Sequence, residues 1–239
     1  MLELFVTASE EKSGKNIVTT GLAATMQSLG YSTGIYKPVE CGAIQKNGFL
    51  QSRDLAFAKF ADPNIKTYFS YLLKANASPL VAAAAEKTII EKDVILQDYQ
   101  SLTDVNDCLI TDGIGGLASP YGKNFLEEDL IKLLEIPMLF VVSARNSSVN
   151  NVILSLNHAK SIGIQIRGVV IIDYPENCED INIKLLPRLI EEYSDAKIMG
   201  ILQATGDWKT INPNDLIENI LTGVDLQEIF RVRIAKLSL

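Results

Sequence analysis

Histidine is nearly absent from these 239 residues, His158 being the only one. That excludes a His-rich metal centre, and any Ser–His–Asp or Cys–His mechanism would have to use this one ring. His158 falls in an expected helix, Asn150 to Ser161, where an ordinary surface or packing role accounts for it. Cysteine is also scarce: Cys41, Cys108 and Cys178 are odd in number, far apart and form no CxxC pair. Neither a disulfide framework nor a zinc ribbon is expected, and a reducing, cytoplasmic compartment fits. Basic residues are outnumbered, 22 against 29 acidic, for a net charge of −7. A broad electrostatic hold on nucleic acid is therefore not expected, although local basic clusters still allow a small anion. No apolar run approaches the roughly 18 residues needed to span a bilayer, so no membrane partner is expected. The stretch MLELFVTASEEKSGK lacks the charged and apolar regions of a signal peptide.

What is present points to an α/β protein. The chain is 47% hydrophobic and 21% charged, which suits one large domain, residues 1–239, or at a stretch two small ones. Leu2 to Thr7 reads as a strand, followed by a polar loop and a helix from about Asn16 to Leu29. A second strand is expected at Thr33 to Val39, and helices at Ser52 to Phe60, Pro79 to Glu86 and Lys92 to Leu102. Asp107 to Thr111 reads as a short buried strand. Pro137 to Ser143 and Gly168 to Ile172 are continuous β-rich runs without polar alternation, the pattern of strands covered on both faces. Helices at Asn150 to Ser161 and Ile181 to Tyr193 precede a last strand, Lys197 to Leu202, and helical pieces near Asn214 to Leu221 and Leu226 to Ile234 follow. The expected architecture is a doubly wound, mainly parallel sheet with helices on both faces. Ligands collect at the carboxyl ends of such strands, so the loops there carry the chemistry.

Three loops stand out. Ala8 to Asn16 (ASEEKSGKN) joins the first strand to its helix. Backbone N–H groups at a helix start, followed by Gly14-Lys15, make an anion cradle with a point charge aimed at phosphate. An ordinary strand–loop–helix junction also explains it, since Ser9 and Asn16 stand where the strict P-loop pattern has glycine and Ser/Thr. In Tyr36-Lys37-Pro38-Val39-Glu40-Cys41-Gly42 a lysine at a strand end would share the sheet edge with Lys15, and two converging cations suit a transferring phosphoryl group. A solvated lysine before a turn proline is the plainer alternative. In Asp112-Gly113-Ile114-Gly115-Gly116 a carboxylate follows a buried strand, a usual place for an acid that ligates Mg²⁺. Asp54 offers a second carboxylate, or else simply a favourable charge at a helix start.

Together these loops resemble the dethiobiotin synthase family, within the wider P-loop group of ATP-dependent carboxylate and amide-forming synthetases. Val6-Thr7-Ala8 through Gly14-Lys15-Asn16 has the family's stretched glycine-loop spacing, with Ala8 for its first glycine and Asn16 for its threonine. Tyr36-Lys37-Pro38-Val39 matches the family's motif outright, and Asp112-Gly113-Ile114-Gly115-Gly116 resembles Glu-Gly-Ala-Gly-Gly. Ser78-Pro79 and Asn150 also match, and order and spacing hold from residue 1 to about 205.

The resemblance implies ATP- and Mg²⁺-dependent closure of a ureido ring from 7,8-diaminopelargonate and CO₂, through a carbamate and a carbamic-phosphoric anhydride. It implies that Lys15, with Ser13, Gly14, Asn16 and Gly115, holds the nucleotide, and that Lys37 steadies the carbamate and γ-phosphate. Asn16, Asp54 and Asp112 would hold Mg²⁺. Cys41 would lie close to the reacting nitrogens, with Glu11 and Lys12 nearby. Ile172 stands at the position of the family's adenine-reading asparagine, leaving Asp173 to accept from the adenine amine. A homodimer is implied, with Ser147, Ser148, Val149 and Asn150 of one subunit receiving the substrate carboxylate at the other's site. Two further readings stay open: a relative that keeps the fold as a nucleotide- or ligand-binding protein, and another amide-forming synthetase of the same group. A ParA-like ATPase would want lysine where Glu10 stands.

Overall fold

A computed structural model describes residues 1–10, 13–204 and 211–233. The chain opens with β1 (Leu2–Ala8), α1 (Lys15–Ser28), β2 (Thr33–Cys41), the hairpin β3 (Ile44–Lys46) and β4 (Phe49–Gln51), and α2 (Arg53–Ala61). Next come β5 (Lys66–Leu73), α3 (Pro79–Ala85), α4 (Lys92–Thr103) and β6 (Cys108–Asp112). A second hairpin, β7 (Pro120–Gly122) and β8 (Phe125–Leu126), leads into α5 (Glu127–Leu134) and β9 (Met138–Ser143). The order ends α6 (Val149–Ser161), β10 (Ile166–Tyr174), α7 (Ile181–Ser194), β11 (Ile198–Gln203), α8 (Pro213–Gly223) and α9 (Leu226–Phe230).

Among the described residues, seven strands form one parallel sheet in the order β11-β10-β9-β1-β6-β2-β5. Its central strands are apolar throughout because both faces are covered. Phe5, Leu109, Phe140, Val142, Val169 and Ile171 enter a core shared with α4, α5, α6 and α7. Their chain neighbours Leu4, Val6, Ile110, Leu139, Val141, Val170 and Ile172 enter a second core with α1, α2, α8 and α9. The two-residue alternation of strand side chains thus fills both layers at once. The expected doubly wound sheet is the observed one.

Six elements lie outside the sequence expectation: β5, α5 and the strands of the two short hairpins, β3, β4, β7 and β8. β5 is the edge strand beside β2, and most of its residues are half exposed, so it lacks the continuous apolar run of a central strand. α5 begins with three acids, Glu127, Glu128 and Asp129, and only its later turn reads as apolar. The connections from β1 run first towards β2 and β5, and later return past β1 to β9, β10 and β11. The carboxyl end of β1 therefore lies at the point where the winding reverses, where such sheets open a crevice.

Candidate active site

The loop from β1 enters α1 through Gly14, whose φ of +79° lies in the left-handed region. A Cβ there would also sit 3.0 Å from Ile172 Cγ2, so glycine is needed for both conformation and space. Ile172 is wholly buried and packs beneath the loop. α1 has no side-chain cap and no acid in its first turn, which leaves its first N–H groups for an external anion.

Lys15, the first residue of α1, donates through Nζ to Asp112 Oδ1 at the end of β6. Asp112 Oδ2 accepts from Lys37 Nζ at 2.6 Å, and Lys37 also donates to Asp54 Oδ2 at 2.7 Å. Asn16 Nδ2 donates to the other oxygen of Asp54 at 3.3 Å. Two cations and two carboxylates from α1, β2, α2 and β6 thus form one chain, Lys15–Asp112–Lys37–Asp54. Thr19 Oγ1 adds a bond to Asp112 Oδ1 at 3.2 Å. Around this chain Glu10, Ser13, Gly14, Lys15, Asn16, Lys37, Asp54 and Ile114 line a cavity of about 240 Å³.

Burial shapes the electrostatics. Removal from water alone would depress the Lys37 ammonium, but Asp112, Asp54 and Glu40 around it hold its pKa well above the usual lysine value. Asp54 is pushed up by desolvation and pulled down harder by Lys37 and Lys15, settling at about 2. Glu40, 3.8 Å from Lys37 and bonded by Ser52 Oγ at 2.9 Å, is raised by its own burial. The result is a preformed, partly dehydrated ion cluster, in which each charge counts for more than at the surface.

The other expected residues take up distinct places. Gly115 has a φ of +100° and packs so closely on the loop after β1 that a Cβ would lie 3.1 Å from the Glu10 carbonyl oxygen. Ser148, the N-cap of α6, gives its N–H to Glu10 Oε1 at 3.2 Å, and Ser147 Oγ accepts from Ser143 N at 3.0 Å. Val149 and Asn150 are on the exposed first turn of α6. Asp173, at the end of β10, accepts from Ser143 Oγ at 3.3 Å. Cys41 ends β2 and packs against the apolar core on that side, outside the lining of the cavity. Glu11 and Lys12 lie outside the described residues.

Sequence reasoning does not single out Thr19, Glu40 or Glu127. Thr19 had a signal, since it stands four residues after Lys15 on one helix face. Glu40 had none, because odd spacing from Lys37 in a strand favours opposite faces. Glu127 stands in an acidic first turn, Glu127-Glu128-Asp129, a composition usual for a solvated helix start, yet it is completely buried.

A parallel sheet with a Gly-Lys loop at its winding reversal, and an acid ending the neighbouring strand, defines the P-loop NTPase-like class. Residues 3–210 match the family model described as AAA domain, and the chain belongs to that family. It is 28% identical over 207 residues to the ATP-dependent dethiobiotin synthetase BioD of Bacillus subtilis (strain 168), covering 84% of this chain and 87% of that protein. It is 27% identical over 237 residues to the protein of the same name from Nitrosopumilus maritimus (strain SCM1), covering 97% of this chain and all of that one. A solved MinC:MinD cell division protein complex from Aquifex aeolicus shares the fold alone, with a TM-score of 0.61, 11% identity and 98% of each chain covered.

Proposed function

We propose that the protein is an ATP-dependent ligase that closes the ureido ring of dethiobiotin, converting 7,8-diaminopelargonate, CO₂ and ATP to dethiobiotin, ADP and phosphate. The observation that carries this reading is the buried chain Lys15–Asp112–Lys37–Asp54 beside an uncapped helix start. It joins a phosphate cradle to a second cation on the same sheet edge. The similarity to two synthetases of that name, which covers 87% and 100% of their lengths, supports the choice of substrate.

In this reading the N–H groups of Ser13 and Gly14 and the Lys15 ammonium receive the β- and γ-phosphates. Lys37 faces the carbamate formed from one substrate amine and CO₂, and neutralises charge as the γ-phosphoryl passes to the carbamate oxygen and ADP leaves. The second amine then attacks the carbamoyl carbon, the carbon–oxygen bond to phosphate breaks, phosphate leaves, and the attacking amine gives up one proton as the ring closes. Positioning and charge account for most of the rate, since the anhydride itself activates the carbon. Gly115 and Asp173 complete the nucleotide side, and Glu11, Lys12 and Cys41 the acceptor side.

The donor set suits Mg²⁺. Asp54, Asp112 and Asn16 offer hard oxygens beside the cavity. Mg²⁺ typically takes one or two carboxylates and completes its shell with phosphate and water. Asp54, Asp112 and Asn16 would hold the ion, which when bound would supply positive charge to offset that of the phosphates.

The working form in this reading is a single-domain cytoplasmic homodimer, with the start of α6 at the neighbouring subunit's acceptor site. The exposed Val149 and Leu154 on α6 support that surface as the contact. No helix among the described residues is long and apolar enough to cross a membrane.

The test combines the protein with diaminopelargonate, bicarbonate, Mg²⁺ and each nucleoside triphosphate, with dethiobiotin measured by mass spectrometry. Product is expected from the wild type, and Lys37→Ala should lower its rate by about 10² to 10³ with the circular dichroism unchanged. A folded wild type that gives no product with any nucleotide overturns the reading. Unchanged turnover in Lys37→Ala overturns the role of that lysine.

A further inference from the structure

Glu127 is buried to 0% exposure, yet it faces none of the lysines across an ion pair and takes no part in the chemistry above. It is the first residue of α5 and gathers four hydrogen bonds from three separate pieces of chain. Thr7 Oγ1, at the end of β1, donates to Oε1. The backbone N–H groups of Ile114 and Gly115 donate to Oε2 at 2.5 and 3.2 Å, and the Tyr121 hydroxyl donates to the same oxygen at 3.1 Å. A Cβ on Gly113 would fall 2.8 Å from Oε2, so the glycine next to Asp112 is what lets the carboxylate approach.

Two of the bonded segments adjoin the residues that carry Lys15 and Asp112 in the ion cluster. Thr7 leads into the loop that carries Lys15. Ile114 and Gly115 follow Asp112 after one glycine, and Gly115 rests on the Glu10 carbonyl and beside the Lys15 stem. A buried carboxylate is costly unless its oxygens are fully bonded, and apolar packing would stabilise this spot at least as well. An acceptor group here has a geometric use, because it turns two glycine-loop N–H groups inward and locks them to β1.

We propose that Glu127 is a positioning residue of the active site, setting the placement of Asp112 relative to Lys15 by tying the loop after β6 to the end of β1. The turnover arm of its test rests on the ligase reading; the nucleotide-binding arm does not.

Glu127→Ala, Glu127→Gln and Thr7→Val would be compared with the wild type for kcat, KM for each substrate, thermal unfolding, and ATP affinity by displacement of a fluorescent ATP analogue. Misplacement on the scale of an ångström should cost Glu127→Ala about 100-fold in kcat and about 10-fold in ATP affinity per folded molecule, with KM for diaminopelargonate nearly unchanged. Glutamine keeps an acceptor for the two N–H groups and a donor for Thr7, so Glu127→Gln should return both to within about 3-fold. Thr7→Val, which keeps the carboxylate but removes one tie, should lose about 10-fold in kcat and serves if Glu127→Ala does not fold. Variants that lose only unfolding temperature, with kcat and affinity per folded molecule unchanged, overturn the proposal, as does a glutamine variant no better than alanine. If the wild type makes no dethiobiotin, the ligase reading fails, and ATP affinity across the three variants still decides the role of Glu127.

Discussion

Lys37 keeps its charge inside the protein because Asp54, Asp112 and Glu40 surround it, and each of those carboxylates depends in turn on a cation or a donor nearby. The consequence for pH follows from Asp54. Its native pKa, about 2, lies below the ordinary 3.8, so the native state binds fewer protons there than the unfolded chain. The stability it contributes is complete above the ordinary value and is lost as the pH falls from about 3.8 towards about 2. Urea denaturation should therefore show wild type above Asp54→Asn at neutral pH, with the gap closing across that acid window. A gap that stays constant through it would mean that Asp54 is not held by Lys37. The Asp54 side chain is 29% exposed, so solvent screening keeps the effect modest. Glu40 acts with opposite sign: burial raises its carboxyl, so its contribution declines as the pH rises through the carboxylate range.

Helix α1 both positions Lys15, Asn16 and Thr19 and lies against α8, and the two tasks meet at Gly21. A Cβ there would lie 2.8 Å from Ile220 Cγ1 and 3.2 Å from Leu216 Cδ1, so the helices approach across a missing side chain. Gly21→Val should overpack this contact and lower stability by about 2 kcal/mol, seen as a lower denaturation midpoint with an unchanged slope. Stability equal to wild type would show that α8 yields freely. The same element shows how local signals place a site. A helix interior fixes which residues share a face, so Lys15 and Thr19 reach Asp112 together. Glycine at the helix start fixes the entry of the loop.

For the whole molecule, the order β11-β10-β9-β1-β6-β2-β5 puts the ends of β1, β2 and β6 side by side. Residues 15, 37 and 112 meet there from distant parts of the chain. The homodimer reading is checked by sedimentation at micromolar concentration, where the mass should be twice the chain's 26.2 kDa. Mutation of the exposed Leu154 to Lys should shift the equilibrium towards the monomer. A wild type that sediments at the mass of one chain removes the neighbouring subunit from the site.

The sequence by itself determined the layers and the sheet edge at which Lys15, Lys37 and Asp112 meet. Continuous apolar strands such as Pro137 to Ser143 are dictated by burial on both faces, and Gly14-Lys15 and Tyr36-Lys37-Pro38-Val39 by local backbone and charge requirements. These signals are short-range, so they survive in a linear string. β5 escaped because an edge strand needs no unbroken apolar run, and α5 because its first turn is acidic. Only the tertiary structure decided how charges divide among partners. Asp112 joins Lys15 to Lys37, Ile172 packs under Gly14, Glu40 stands by Lys37, and Glu127 bonds Thr7 across 120 positions of sequence. Hydrogen bonds and ion pairs act over a few ångströms between groups brought together by the sheet order, and no periodicity in the chain records which groups those are.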